Sequence, residues 1–468
     1  MDQNDTSNDM DTLTELRNVG RIEQYSTARH HLKYYNNVAV AATYTLPESF
    51  TLPIQDYIYK ACKTLVGQHP VLSAIPLRED TNKPYWARLP EVDLGHAVQF
   101  RQRTIPISET DDHDSELNEV LQEQHNTPYT APHPYWRLCV LTEATESRRF
   151  TAVFVFHHAL GDGTSGKVFH LTFLQALRAA ASLAPGEAKQ IIPSPDTPLL
   201  PSLEEAHPLP LSFGFLASSI WHEVIWPSRS PGLWTGSEIR LPLATRIRHI
   251  VFPESTASAF RKLCRQNGTT VTAALDTLIS RALFRHLPAQ FTQLQTSIPM
   301  SLRKLLPDPI SEESIGVWVS DIKETFERSA LETESFPWSE AKRARETIEK
   351  ALNRGAKDVS AALLKLLNDL HKYFQGKLGK HRDNSLEVSN IGAVVPADVG
   401  NDTIPQISRV VFTQCGSVVG SALETCVVTG GDGCLVWSFC WQEGVVEEEL
   451  VISAMETVKT ELNSLCST

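Results

Sequence analysis

Residues 149–166 read RFTAVFVFHHALGDGTSG, and within them His157, His158, Asp162 and Gly163 spell HHxxxDG at the end of an apolar run. Chance would place four such specified positions in a chain of this length roughly 0.3% of the time. Phe150, Ala152, Phe154 and Phe156 alternate with Thr151, Val153 and Val155, which predicts a half-buried strand. From Ser165 to about Ser182, Val168, Phe169, Leu171, Leu174 and Leu177 recur at near-helical spacing, so the motif occupies the turn between a strand and an amphipathic helix. Continued to the strand end, the pleat sends His157 and His158 to opposite faces. At most one of them can then act in a given cleft, and the other is structural.

An imidazole has an ordinary pKa near 6.5, so a neutral histidine at such a turn can take a proton from a hydroxyl or an amine. Asp162, four residues past His158, either orients that ring or fixes the turn through a buried ion pair with an arginine, and Gly163 relaxes the backbone beside it. Gly161, Gly163 and Gly166 also spell the dinucleotide-binding GxGxxG. That fingerprint expects a second strand ending in an acidic residue about 20 positions on, where this chain runs into LAPGEAKQIIPSPDTPLLP. A metal centre on His157, His158 and Asp162 conflicts with the diverging pleat, and no CxxC or HExxH pattern supplies further ligands, so no metal is expected. His30 and His31 form a second pair with no ligand set around them in sequence.

The 468 residues suffice for two or three domains, and 41% apolar content is that of a globular protein. A net charge of −12 argues against nucleic acid as a partner. The N-terminus MDQNDTSNDMDTL has neither the basic nor the apolar part of a signal peptide, and no stretch approaches 18 consecutive apolar residues. The expectation is a cytoplasmic protein without an integral membrane segment. Cysteines 62, 139, 264, 415, 426, 434, 440 and 466 show no framework spacing and read as reduced thiols, mostly buried.

The pattern divides the chain into 1–182, a Pro/Ser-rich connector at 183–242, and 243–468. The first block holds a strand near Asn37 to Leu46 and a helix near Ile54 to Val66 besides the motif elements. The connector carries Phe213, Phe215, Trp221, Trp226 and Trp234, read as a hydrophobic tether rather than a membrane-surface helix because no cationic residues flank the run. The last block alternates again. Strands are expected at Arg248 to Phe252, Leu294 to Pro299, SLEVSNIG and SRVVFTQ. Helices are expected from near Ser255, over Val271 to Leu287, Trp338 to Asn353 and Asp358 to Phe374, and from Glu447 to about Leu465, after a hairpin across GGDG. Alternation in both halves predicts an α/β protein of two related domains.

HHALGDGTSG, together with RNVGRIEQYSTARHHLKYYNN, QHPVLSA, PYWRLCV, SIPMSLR, LEVSNIG and the closing hairpin, resembles the fungal alcohol acetyltransferase family over nearly the whole chain. That family belongs to the HHxxxDG superfamily with chloramphenicol acetyltransferase-like folds. The resemblance implies two such domains, with mixed sheets flanked by helices, enclosing an active-site tunnel at their interface. It implies His158 as the general base for acetyl transfer from acetyl-CoA, a co-substrate rather than a bound cofactor, to a hydroxyl of a small apolar alcohol or secondary metabolite, with no covalent enzyme intermediate. Asp162 would be structural support, and Arg303 in SIPMSLR matches the place of its ion-pair partner, the alternative being a surface residue. Ser389 and Asn390 would aid the oxyanion or contact the acceptor, or else only satisfy their own strand end. The plant members' late DFGWG motif is missing, and no CoA-binding motif transfers, so Lys304 and Arg281 stay unassigned. A monomer is expected. Two other readings remain: N-acetylation or condensation-type acyl transfer to a hydrophobic amine, and a non-catalytic ligand-binding pseudoenzyme.

Overall fold

In the computed structural model, which describes residues 13–108, 110–144, 148–220, 229–396, 398 and 400–467, strands and helices alternate through both halves of the chain. The strands of the two larger sheets are β1 (Val38–Thr45), β2 (Val98–Gln102), β3 (Trp136–Thr142), β4 (Arg149–Phe156), β5 (Thr245–Phe252), β6 (Gln293–Ser301), β7 (Val319–Glu327), β8 (Leu386–Ala393), β9 (Gln406–Gln414), β10 (Leu423–Thr429) and β11 (Leu435–Gln442). The first sheet runs β9-β1-β4-β3-β2 and the second β5-β11-β10-β8-β6-β7. Both are mixed: β2 is parallel to β3, and β8 is parallel to β6 and β10, with the other neighbours antiparallel. The architecture is thus α/β, with two lobes. One strand of the C-terminal half, β9, completes the N-terminal sheet beside β1. The chain therefore crosses back between the lobes, and residues remote in sequence meet at their junction.

Helices α1 (Arg21–His31), α2 (Ile54–Gln68), α3 (Ser115–His125) and α4 (Gly163–Ala179) accompany the first sheet. In the second half come α5 (Glu254–Gln266), α6 (Val271–His286), α7 (Trp338–Asn353) and α8 (Glu448–Cys466). β4 is not half-buried as its alternation predicts: lying between β1 and β3 and covered on both faces, it is buried from Phe150 to Phe156, and its Phe154 packs on Phe169 of α4 with ring centroids 3.6 Å apart and 3° between planes. Each such phenyl taken from water contributes about 1.5–3 kcal/mol. The second core forms around α6, buried from Ala273 through Phe284, as a helix packed on all sides must be.

The helix expected over Asp358 to Phe374 is two pieces, a 3-10 turn at Ser360–Leu366 and a helix at Leu370–Gln375. Asp369 causes the restart, its carboxylate accepting from the Lys372 N–H as an N-cap, and Asp358 lies at φ 56° with its carboxylate held by Ser212. The connector is not wholly irregular: Ile191–Pro193 pairs with Glu91–Asp93, and Phe213–Ile220 is helical. Trp234 packs into the second core, whereas Phe213 is 87% exposed; Trp221 and Trp226 lie outside the described residues. All eight cysteines are free, and Cys466 alone is not fully buried. Among the described residues no helix is long and apolar enough to cross a membrane.

Candidate active site

β4 ends at Phe156, and the backbone then turns tightly: the His157 N–H donates to the Tyr135 carbonyl at 2.9 Å and the Leu160 N–H to the His157 carbonyl at 2.9 Å. The two histidines enter different surroundings. His157 is buried, its Nδ1 accepting from the Ala159 N–H at 3.0 Å and its Nε2 lying 3.5 Å from Glu79 Oε1. His30, on α1, faces the other oxygen of Glu79 through Nδ1 at 2.8 Å, while its Nε2 accepts from the Tyr129 N–H at 3.2 Å. Folding thus brings to His30 the acidic and imidazole partners that its sequence neighbourhood lacks, within 4.8 Å of one another. In each ring one nitrogen accepts a backbone N–H, which leaves the other nitrogen to carry a proton toward Glu79. A metal would need lone pairs there. The cluster instead holds a carboxylate, hydrogen-bonded to His30, 3.5 Å from the Nε2 of the buried His157.

His158 is only half buried. Its Nδ1 is enclosed without a hydrogen-bond partner, and Nε2, which has none among the described residues either, is the ring nitrogen in contact with open space. The Tyr35 ring lies 5.6 Å away, and Arg29 stacks on the Tyr35 ring at 4.3 Å. Burial, aided by the Arg29 guanidinium, pushes the His158 imidazole down to about 4. The ring is therefore neutral at physiological pH and holds a lone pair ready for a proton.

Asp162 caps α4, accepting from the Ser165 N–H at 3.1 Å. Its carboxylate takes both arms of the Arg303 guanidinium, at 2.7 and 2.9 Å, and the Trp318 N–H at 3.2 Å. Burial pushes this carboxyl up, but Arg303 and the backbone N–H groups outweigh it and hold it below its ordinary value. Arg303 follows β6 and also reaches the carbonyls of Ser314 and Gly316, so the pair ties the motif turn to the second sheet. Gly163 sits where β8 and β9 approach α4. A Cβ there would lie 2.8 Å from Ile391 Cγ2 and 3.0 Å from Phe412 Cζ.

On β8, Ile391 touches Gly163 and Val388 is in the second core, so the pleat turns Glu387, Ser389 and Ile391 toward the motif and Val388 and Asn390 away from it. Ser389 is buried, and its hydroxyl has no hydrogen bond among the described residues. Asn390 is engaged elsewhere, its Nδ2 donating to Thr272 Oγ1 at 3.1 Å and its Oδ1 accepting from the Gly392 N–H. The expected pairing of Ser389 and Asn390 in one cleft therefore fails on strand parity. Arg281 is also removed from the site, buried against Glu461 and the carbonyls of Leu331 and Thr333.

Residues 18–455 match the alcohol acetyltransferase family. The chain belongs to this family. A similar curated relative is the "Probable alcohol acetyltransferase crmB" of Aspergillus fumigatus, 34% identical over 449 residues covering 92% of this chain and 95% of the relative. Another is the "Probable alcohol acetyltransferase FCK4" of Fusarium pseudograminearum, 25% identical, covering 93% and 92%. Among solved structures, the TRI3 trichothecene 15-O-acetyltransferase of Fusarium sporotrichioides superposes with a TM-score of 0.72 at 14% identity, covering 96% of this chain and 95% of that one. The first condensation domain of the calcium-dependent antibiotic synthetase superposes at 0.64, also at 14% identity, covering 97% and 98%. These superpositions show a shared two-lobed fold. The chain is an acyltransferase.

In this acyltransferase the sequence motif accounts for His158, Asp162 and Gly163, but not for Tyr35, Arg29 and Glu79, which come from other segments and carry no spacing signal. Gly163→Ala should lower stability by about 1–3 kcal/mol, because Ile391 and Phe412 must move to admit the methyl group. Denaturant unfolding measures this, and an unchanged midpoint would show that the α4 junction gives freely.

Proposed function

We propose that this enzyme transfers an acetyl group from acetyl-CoA to a hydroxyl of a small apolar alcohol or secondary metabolite, with His158 as general base. The observation that carries this reading is the unbonded Nε2 of a ring kept neutral by burial, on the turn that β8 approaches through Ile391 and Gly163. Nε2 takes the proton of the acceptor hydroxyl as its oxygen attacks the thioester carbonyl. The resulting tetrahedral oxyanion collapses, the C–S bond breaks, and the CoA sulfur leaves with the proton returned from His158. Ser389 is the side chain on β8 placed to donate to the oxyanion, a contribution of about 3 kcal/mol when well aimed. Asp162 and Arg303 position the turn and do not touch the reacting atoms. The 15-O-acetyl transfer named for TRI3 supports a hydroxyl acceptor. Burial lowers the pKa of Lys167 on α4, with Glu312 opposing and the exposed Lys304 after β6 adding to the shift, and the two lysines beside the motif suit the phosphates of CoA.

Release of free CoA thiol from acetyl-CoA, measured against primary alcohols, sterols, polycyclic hydroxylated metabolites and amines, tests the reading. Acceptor-dependent release confined to hydroxyl compounds is expected; release with amines alone would replace O-acetylation by N-acetylation. The pH profile gives a second test. Because His158 titrates near 4, kcat/KM should stay level from neutrality to about pH 5 and fall tenfold per unit below about 4. An ordinary histidine would bend the profile at about 6.5. The lowered value also means that the unfolded chain binds the extra proton between 6.5 and 4, so stability falls as pH drops through that window. Rates must be read before unfolding sets in, and a bend at 6.5 in the folded enzyme would contradict the assignment.

A further inference from the structure

Beyond the reacting centre, a second set of buried polar groups faces the motif turn. Glu387 on β8 and Glu424 on β10 are register partners, on the face of β8 that Ser389 and Ile391 share. The Tyr35 hydroxyl donates to Gln414 Oε1 at 3.0 Å, and Gln414 Nε2 donates to Glu387 Oε1 at 2.8 Å, so a continuous line of contacts leads from the His158 ring to Glu387. The other oxygen of Glu387 has no hydrogen-bond partner among the described residues. Glu424 is 4% exposed and its Oε2 is enclosed without a partner. Arg29, 7% exposed, is stacked between the Tyr25 and Tyr35 rings at 4.2 and 4.3 Å. Only its Nε is bonded, to the Tyr25 carbonyl at 3.2 Å, and its terminal nitrogens have no partner among the described residues. A guanidinium and two acids held near one another without an ion pair leave hydrogen-bonding capacity; Glu424 Oε2 is sealed from solvent, whereas Arg29 and the half-buried Glu387 keep theirs open to an incoming polar group.

We propose that Glu387 and Arg29 form an acceptor subsite that binds a second, uncharged polar group of the substrate, a hydroxyl or an amide, remote from the hydroxyl that is acylated. This rests on the O-acetyltransferase reading and names the chemistry of its acceptor. A hydroxyl or an amide both accepts and donates, so its oxygen meets Arg29 while its O–H or N–H meets Glu387. Burial, with Asp321 nearby, pushes the Glu387 carboxyl up to about 7, and burial together with Glu387 pushes Glu424 well above its ordinary value. The two acids therefore hold at least one proton between them at neutrality, and Arg29 balances the remaining charge. Asp321 is engaged by the Ser297 and Ser360 hydroxyls. An ammonium group entering beside Glu387 would meet the Arg29 guanidinium as a like charge.

The test uses straight-chain mono-alcohols, α,ω-diols, ω-hydroxyamides and ω-amino alcohols of matched length with acetyl-CoA, on wild type, Glu387→Leu and Glu387→Gln. At the best-fitting length, wild type should favour the diol or the hydroxyamide over the mono-alcohol by about tenfold or more in kcat/KM, chiefly through KM. Whichever of the two leads identifies the group. Glu387→Leu should bring the ratio near one, with Glu387→Gln between. Ratios unchanged by either substitution, or a preference for the amino alcohol, would overturn the subsite. Calorimetric binding of the same compounds without acetyl-CoA separates the two claims. If no alcohol is acetylated, the activity reading fails, while tighter binding of the diol or hydroxyamide that weakens on substitution still supports the subsite, and equal binding overturns it. Melting curves check that the variants fold; should Glu387→Leu fail to, Glu387→Gln and the wild-type ratios decide.

Discussion

His158→Ala is expected to lose about 10²- to 10⁴-fold in turnover, the range that a positioned general base supplies, with little change in melting temperature. The reason lies in what each atom of the ring does. Nδ1 makes no well-formed hydrogen bond and Nε2 makes none among the described residues, so removing the ring gives up only weak contacts with the His158 and Gly161 backbone. His157→Ala should behave in the opposite way. It removes the acceptor of the Ala159 N–H and one of the groups facing Glu79, each a loss of about 1–3 kcal/mol, and activity should fall with stability rather than ahead of it. Steady-state kinetics beside denaturant unfolding on the same preparations separate the two. Equal, purely catalytic losses at both positions would mean that the turn does not divide the histidines as described.

Breaking the Asp162–Arg303 pair should give the largest stability loss. Asp162→Ala leaves the Arg303 guanidinium buried with carbonyls, the Ser165 and Ser301 hydroxyls and the Trp318 ring as its remaining partners, none of them charged, removes the cap of α4, and frees the Trp318 N–H. An uncompensated buried charge costs about 3–5 kcal/mol. Arg303→Ala should cost a similar amount from the other side, since Asp162 then keeps only the Ser165 hydroxyl and the backbone N–H groups of Ser165 and Trp318, none of them charged. Activity should fall with both, because the pair fixes the turn that aims His158 against the second sheet. The double variant should recover part of the loss, as removing both charges leaves neither unpaired. Chemical unfolding of the two single variants and the double measures all three. An Asp162 variant that melts like wild type yet is inactive would make Asp162 part of the chemistry instead.

What the sequence reveals and what it hides follow from the range of each interaction. The strand, turn and helix around His158 lie within about thirty consecutive residues and obey periodicities of two and about 3.6, so they are legible in the chain itself. Asp162 and Gly163 are legible for the same reason. Tyr35 and Gln414 are 379 positions apart and meet because β9 returns to the first sheet. The alternation in SRVVFTQ predicts a strand there but not which sheet it joins. Ser389 and Asn390 differ by one step of a pleat, and no local signal says which of two adjacent polar residues faces the motif. The break between Leu366 and Leu370 escaped the helical periodicity because Asp369, a helix starter in the structure, reads in sequence as one more solvated residue on a polar face.

In the proposed reaction the acetyl group passes directly from the thioester to a hydroxyl with no acyl-enzyme stage. Intact-mass measurement of the wild-type enzyme after incubation with acetyl-CoA alone, followed by addition of an accepted alcohol, tests it most directly. An unmodified protein mass throughout, no thiol release before the alcohol is added, and one thiol for each ester formed afterwards are expected. A protein carrying an acetyl group that disappears when the alcohol arrives would contradict direct transfer.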